Sequence, residues 1–258
     1  MTLTATLPGI GFWAPGLPTW EAARAFALHG TRPEAAPARP SPQLLPANER
    51  RRAPDTVAVA LDVALAACAM AGRDAATLPS VFASTHGDLA ITDYMCATLA
   101  SEPATLSPTR FHNSVHNAAA GYWTIGAGAM AAATAISALE ATFAQGLIEA
   151  CAQLAAGAEA VLLVGYDSAS AGPLAQVTHS TGLLGAALVL ARESAGPRIA
   201  LSLHDGEPEP LTGPLATHAA GNAGAPMLPL FDALAAGSAR CTLKAGPGRV
   251  LRVDIVHG

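Results

Sequence analysis

The sequence predicts an α/β protein, a layered α-β-α domain built on a mixed five-stranded sheet with a short C-terminal extension. Candidate strands and helices alternate along the chain, which is the pattern of α/β folds. The run AVLLVGYD at 160–167 is apolar on both faces, as expected of a strand covered by helices on both sides. The strand-like runs at 181–192 and 198–206 are close enough to form a hairpin, which would make the sheet mixed.

The first half of the chain supplies two strands and two helices of this pattern. Alternating residues at 3–12 predict a strand, and SVFAST at 80–85 predicts a short buried one. The run at 57–71 is apolar nearly all round, which indicates a buried helix, and 88–100 has the pattern of an amphipathic helix. Residues 30–55 are rich in Pro, Ala and Arg and should form a long surface excursion.

The second half continues the alternation and then changes character. Residues 134–157 begin with strand-like residues and continue as a helix. A Pro- and Gly-rich stretch at 207–227 precedes a short helix near 228–236. Two further strands are predicted at 240–245 and 249–256.

Composition excludes several functional classes. The net charge is −5 and lysine occurs only once, at Lys244, so a nucleic-acid partner is not expected. Only 13% of the residues are charged while 51% are hydrophobic, which favours a large buried interface with another chain. The apolar runs are too short to span a bilayer, and the first sixteen residues lack the pattern of a signal peptide.

The cysteines and histidines do not form a metal-binding pattern. There is no CxxC pair and no zinc spacing among the four cysteines, which are Cys68, Cys96, Cys151 and Cys241. His86 and Asp88 could form a metal pair, but no further ligands accompany them. We therefore expect neither a metal nor another cofactor, and a location in the reducing cytoplasm.

A cluster of polar residues in FHNSVHNAAAGYWTIGAG, residues 111–128, is the first candidate site. We expect it to be a loop that frames a pocket, with the side chains of Phe111, His112, Ser114, His116 and Asn117. If the segment were a strand, the side chains of Ser114 and His116 would share a face and could act as nucleophile and base. No GxSxG elbow and no orienting acid accompany them, which argues against this chemistry. A small acyltransferase or hydrolase that uses Ser114 and His116 is therefore kept only as an alternative.

The same stretch carries a family resemblance, which continues through a later strand, STGLLGAALVLARE. The positions that match the family's spacing without a gap are Asn117, Gly121, Thr124, Ile125 and Gly128. Over residues 3–206 the chain resembles the β-ketoacyl synthases of the thiolase superfamily. The resemblance implies a thiolase-like half-fold in a domain 1–206, followed by a short remnant, 207–258, that packs on the same domain.

The resemblance also implies a missing nucleophile. Counting on from the matched positions places Glu140 where the family carries a reactive cysteine at a strand-to-helix elbow. There Glu140 would fill or polarise the unused pocket, because a carboxylate cannot form the thioester. Cys151 lies eleven residues along the helix, about 16 Å away, and cannot substitute. Of the family's two histidines only His218, in THAAGNAG, has a faint match, as a possible remnant.

Short proteins of this kind resemble the chain length factors of aryl polyene biosynthesis. That resemblance implies a non-catalytic subunit that forms a heterodimer with a complete β-ketoacyl synthase and shapes the tunnel for the growing acyl chain. Acyl carrier protein would be a transient partner, and Arg50, Arg51 and Arg52 could contact it. Residues 130–138 would form the dimer edge, chiefly through Met130, Thr134, Ile136 and Ser137. A homodimeric acyl-binding module is the remaining alternative.

Overall fold

A single mixed sheet of eight strands organises the molecule, for which the computed structural model describes residues 2–257. The order across the sheet is β3-β2-β4-β5-β1-β6-β8-β7. The expectation of five strands is wrong, because β6, β8 and β7 continue the sheet beyond β1. The strands are β1 Leu3–Trp13, β2 Ser80–Ala83, β3 Ala133–Ile136, β4 Ala160–Asp167, β5 Leu184–Ala191, β6 Arg198–Asp205, β7 Arg240–Gly246 and β8 Arg249–Val256.

The strand directions divide the sheet into two parts. β2 is parallel to both β3 and β4, whereas every other neighbouring pair is antiparallel. The predicted hairpin of β5 and β6 does not form, because β1 lies between these two strands and pairs with both. A pattern of apolar residues predicts that a segment is a strand but does not specify which strand it pairs with. A strand that is distant in sequence can therefore lie between two strands that are consecutive in the chain.

Helices cover both faces of the sheet, which confirms the layered α-β-α architecture. They are α1 Trp20–His29, α2 Ala47–Arg52, α3 Asp55–Ala71, α4 Leu89–Ser101, α5 Pro108–Asn113, α6 Ala118–Ala127, α7 Thr142–Ala155, α8 Pro214–His218 and α9 Leu228–Ala236. One core forms between the sheet and α1, α7, α8 and α9, and the other between the sheet and α3 and α6.

The predicted buried helix is α3, and it lies unusually close to β1. Two glycines of β1 allow this approach: a Cβ atom at Gly11 would lie 2.0 Å from the carbonyl oxygen of Val63, and one at Gly9 would lie 2.1 Å from that of Ala67. Helix α3 ends at Ala71 and is capped by Gly72, whose left-handed conformation, at φ +61°, glycine adopts without strain.

The C-terminal strands support the helix that follows β3. β8 pairs with β6, and β7 pairs with β8, so residues 240–256 extend the same sheet. From α7, the side-chain amide of Gln145 donates a hydrogen bond of 2.7 Å to the carbonyl oxygen of Ala245 in β7. Within residues 2–257, no helix is both long enough and apolar enough to cross a membrane.

Candidate functional site

The candidate site lies where the three mutually parallel strands end. The carboxyl ends of β2, β3 and β4 meet at one edge of the sheet, a place where α/β folds commonly bind ligands. The segments that leave these ends are Ser84–His86 after β2, Ser137–Glu140 after β3, and Asp167 at the end of β4. They enclose a small cleft next to the start of α7.

The turn from β3 into α7 forms a strained elbow at Leu139. Among residues 2–257, Leu139 alone combines a side chain with a positive φ, of 52°. A left-handed conformation costs a non-glycine residue about 1–2 kcal/mol, so the surrounding structure must impose it. The buried Thr142 does so, since its hydroxyl accepts a hydrogen bond from the amide of Ala138 at 2.9 Å and donates one to the carbonyl oxygen of Leu139 at 2.6 Å.

Glu140 follows the elbow residue and faces solvent. Its side chain is 66% exposed and forms an ion pair of 2.8 Å with Nζ of Lys244 on β7. The hydrogen bond that Lys244 donates to the Glu140 carboxylate raises the pKa of Lys244. Glu140 thus lines the elbow cleft from its solvent-exposed side without being buried in it, and the preceding Leu139 is the residue with the left-handed backbone. Neither Leu139 nor Glu140 contains sulfur, so the elbow carries no thiol at either position.

The elbow cleft is too small to hold a substrate. Its cavity volume is about 10 Å³, whereas ligand pockets usually hold about 300–1,000 Å³. Phe143 and Met227 fill most of it: a Cβ atom at Gly165 would lie 2.7 Å from the sulfur of Met227 and equally close to the ring of Phe143. No acyl chain fits between these side chains.

None of the cysteines lines this cleft. Cys68, Cys151 and Cys241 are buried, and burial raises the pKa of each thiol to about 12, so these thiols are not reactive at neutral pH. Cys96 is exposed but belongs to α4 rather than to the elbow.

A buried carboxylate, Asp167, links the ends of β2 and β4. Its oxygens accept hydrogen bonds from the hydroxyl of Ser84 at 2.9 Å and from the amides of Thr85 at 2.9 Å and His86 at 3.3 Å. Burial is the largest effect on its carboxyl group and raises the pKa, although these donors act in the opposite direction. The sequence analysis did not assign Asp167 a role. A carboxylate that directly follows a fully apolar strand was the available signal.

The predicted polar loop is largely helical. α5 ends at Asn113, a turn occupies 114–117, and α6 begins at Ala118. The segment is not a strand, so the argument that Ser114 and His116 share a strand face is wrong. The hydroxyl of Ser114 donates to the carbonyl oxygen of Phe111 at 2.8 Å. Nε2 of His116 lies 2.8 Å from the carbonyl oxygen of Ser84, and the ring thus supports the end of β2 instead of activating a serine.

The other residues of the predicted loop lie on the surface. Phe111 is 58% exposed, and the ring of His112 packs edge-on against Tyr122 at 5.9 Å. The side chain of Asn117 is exposed and forms no capping hydrogen bond to α6. The loop residues therefore do not converge on a pocket: only His116 reaches the strand ends described above.

His218 lies away from the elbow and does not line its cleft. Nε2 donates to the carbonyl oxygen of Pro15 at 2.9 Å, and Nδ1 lies 3.3 Å from the guanidinium of Arg32. Its ring also packs against Phe26, with the ring centres 5.3 Å apart. These contacts attach α8 to α1.

Strand β3 forms one end of the sheet, because β2 is its single neighbour there. Thr134 and Ile136 are half-buried, and the exposed Ser137 donates from its hydroxyl to the carbonyl oxygen of Thr85 at 2.9 Å. Large apolar side chains are exposed on the segments next to this strand: Met130, three residues before β3, is 94% exposed, and Ile125, in the helix α6 that contacts β3, is 80% exposed. An uncovered edge strand beside exposed apolar side chains is characteristic of a protein–protein interface.

Two smaller candidate groups are also located by the structure. Arg50, Arg51 and Arg52 form the last turn of α2, where Arg51 and Arg52 are exposed and Arg50 is half-buried. His86 bonds with the hydroxyl of Thr178 at 2.8 Å, and Asp88 caps α4 by accepting from the amide of Ile91. Across residues 2–257, His, Cys, Asp and Glu side chains nowhere form a group of three or more that could bind a metal.

Comparison with known proteins was made with both sequence and structure. The search of curated proteins gave no match. A ketosynthase in complex with its chain length factor from Xenorhabdus doucetiae matches with 23% identity and a TM-score of 0.77, covering 98% of this chain and 99% of that one. The ishigamide ketosynthase/chain length factor matches with 15% identity and a TM-score of 0.73, covering 98% and 99%. At these identities the similarity establishes the thiolase-like fold.

A third structure, an acyl carrier protein in complex with its ketosynthase from a type II polyketide synthase, matches with 12% identity and a TM-score of 0.74 over 100% of both chains. At the level of sequence, the family model of the β-ketoacyl synthase N-terminal domain matches residues 20–248, nearly the whole chain. This protein belongs to the β-ketoacyl synthase N-terminal domain family.

Proposed function

We propose that this chain is a non-catalytic subunit, of the chain length factor type, in a heterodimer with a complete β-ketoacyl synthase. The observation that carries the proposal is the elbow between β3 and α7. It retains the sharp strand-to-helix turn of a nucleophile site but presents Leu139 and Glu140 in place of a thiol. Condensation requires a thiolate to accept the acyl group, so the partner must supply it.

The uncovered edge of β3 is the surface at which the partner would bind. The exposed apolar side chains of Ile125, Met130 and Leu139 lie along and beside this edge. Burying such side chains in an interface removes apolar surface from water, which is the main favourable term in association. The similarity in fold to chains of ketosynthase–chain length factor complexes supports this arrangement.

In the proposed pair, the partner carries out decarboxylative condensation of malonyl-carrier protein with the growing acyl chain. This chain completes the dimer and shapes the tunnel that receives the product, as in polyene, polyketide or fatty-acid-type elongation. The arginines at 50–52, two of them exposed, would offer positive charge to an acidic carrier protein. Four cysteines without a disulfide agree with a cytoplasmic location.

Size-exclusion chromatography of the chain mixed with a complete β-ketoacyl synthase from the same organism tests this function. We expect a one-to-one complex. Met130→Glu should weaken it at least tenfold, because a carboxylate would be buried against apolar surface. Val256→Glu is the matched control: Val256 is also exposed, at 67%, but belongs to β8, which is five strands away from β2 and next to the opposite end strand β7, so its complex should form normally.

Two results would overturn the proposal. The first is a chain that forms a stable homodimer and does not bind the synthase, which would favour an acyl-binding module. The second is a covalent acyl adduct on the isolated chain, detected by intact-protein mass spectrometry after incubation with acyl-carrier protein. The alternative of Ser114 and His116 as nucleophile and base has no support in the geometry, because each side chain bonds to a backbone carbonyl instead.

A further inference from the structure

Leu139 is an unusual residue to find at an exposed bend. Its backbone is held in a left-handed conformation that glycine or asparagine would adopt at lower cost, and its apolar side chain is 72% exposed. Both features are unfavourable in the isolated chain. Residues held in rare backbone conformations are often found at functional sites, where the orientation of the side chain matters.

The direction of the Leu139 side chain is fixed from within this chain. Thr142 holds the peptide groups on both sides of the bend, the amide of Ala141 donates to the carbonyl oxygen of Ala138 at 3.0 Å, and the neighbouring Glu140 is bound to Lys244 on β7. A leucine on a flexible loop could fold back onto the protein. At this rigid elbow it cannot, so it presents a preformed apolar projection.

The side chain has no room inside its own domain. The space behind the elbow is already occupied by Phe143 and Met227, which meet above Gly165. Leu139 instead stands at the carboxyl end of β3, the edge strand to which the proposed function assigns the partner. It is therefore positioned to enter the interface and to contact whatever apolar group lies there.

We infer that Leu139 determines product length: its side chain projects into the acyl cavity of the partner synthase and limits the chain that the cavity can hold. The inference rests on the proposed function and specifies how this subunit would shape the tunnel. An apolar projection at a fixed position excludes further methylene groups by contact, since closely packed cavities do not expand to accept them.

The experiment uses the reconstituted pair with malonyl-carrier protein, and mass spectrometry of the acyl chains bound to the carrier. Leu139→Ala and Leu139→Gly should shift the products longer by at least one extension cycle, because they remove the projection. Leu139→Phe should shift them shorter by one cycle. Leu203→Ala is the control, since Leu203 is an exposed leucine, at 47%, on β6 away from the proposed interface; its product lengths should equal those of the wild type.

Assembly of the pair is measured in parallel with product length, which distinguishes failure of the proposed heterodimer from failure of the proposed role of Leu139. If the wild-type chain does not bind the synthase, the proposed function falls and this inference falls with it. If every Leu139 variant assembles and the product lengths do not change, the inference is wrong and the proposed function stands. If Leu139→Gly abolishes assembly while Leu139→Phe assembles and gives wild-type lengths, Leu139 is an assembly contact and does not determine length.

Discussion

Replacing Asp167 tests how the ends of β2 and β4 are held together beneath the elbow. In Asp167→Ala, the hydroxyl of Ser84 and the amides of Thr85 and His86 lose their acceptor. Each unsatisfied donor costs about 1 kcal/mol when water reaches it in part, so we expect a loss of about 3 kcal/mol in the free energy of unfolding. Asp167→Asn keeps one acceptor oxygen, which in the native structure serves all three donors, and should cost about 1 kcal/mol.

Urea unfolding of the purified chain at pH 7 measures these differences. A loss of about 3 kcal/mol corresponds to a decrease in Tm of about 6–12 °C for a domain of this size. Asp205→Asn is the matched control, because the side chain of Asp205 is 89% exposed and forms only a surface ion pair with Arg249. The reasoning is refuted if Asp167→Ala is as stable as Asp205→Asn, or if Asn and Ala at position 167 are equally destabilising.

The pH dependence of stability provides a second measurement of the same carboxyl group. Burial raises the pKa of Asp167 above the value of the unfolded chain, near 3.8, so the native state binds the proton more tightly. Between these two pKa values, the native protein loses stability as the pH rises. Asp167→Asn should remove this component, and its stability relative to the wild type should therefore increase with pH across that window.

Three further outcomes are expected. Gly11→Ala should destabilise the chain by about 3 kcal/mol, because its Cβ would lie 2.0 Å from a backbone oxygen of α3, whereas Gly121→Ala, with open space around it, should stabilise α6 by about 0.5–1 kcal/mol. Glu140→Gln should leave the urea midpoint unchanged at pH 7 in 0.5 M NaCl, since the ion pair to Lys244 is exposed and screened. Iodoacetamide should label one thiol of the native chain, that of Cys96, and four after denaturation.

Each of these outcomes has a result that contradicts it. Equal effects of alanine at positions 11 and 121 would mean that α3 does not pack tightly on β1. A large stability change in Glu140→Gln would indicate that its carboxylate is buried. Rapid labelling of a second native thiol would reveal a reactive cysteine that burial does not protect, and it would weaken the assignment of a non-catalytic subunit.

Much of the fold could be predicted from the sequence because local patterns determine local structure. The run AVLLVGYD became β4 at the predicted residues, and the all-apolar run at 57–71 became the core of α3. Pairing partners depend on contacts between distant residues, which a pattern does not encode. For this reason the predicted hairpin of β5 and β6 was wrong, and the last two strands were not recognised as part of the same sheet.

The candidate site was predicted only in outline. The elbow around Glu140 and its lack of a thiol followed from the family spacing, but the left-handed backbone of the preceding Leu139 did not, because nothing in a leucine indicates a positive φ. The polar residues at 111–117 suggested a pocket, yet most of their side chains satisfy local backbone groups. Asp167 was missed because a single carboxylate after a strand is common at a solvated strand end.

The central position of β1 has a consequence for synthesis of the chain. β1 is synthesised before both of its neighbours, β5 and β6, and Thr6 bonds to Ala191, 185 residues later. At about 5–20 residues per second, translation leaves this apolar segment without its neighbours for roughly 10–40 s. The nascent chain thus exposes the apolar residues of β1 until β5 and β6 have been synthesised. Expression should benefit from chaperones or slow growth at low temperature, even where the finished molecule is stable.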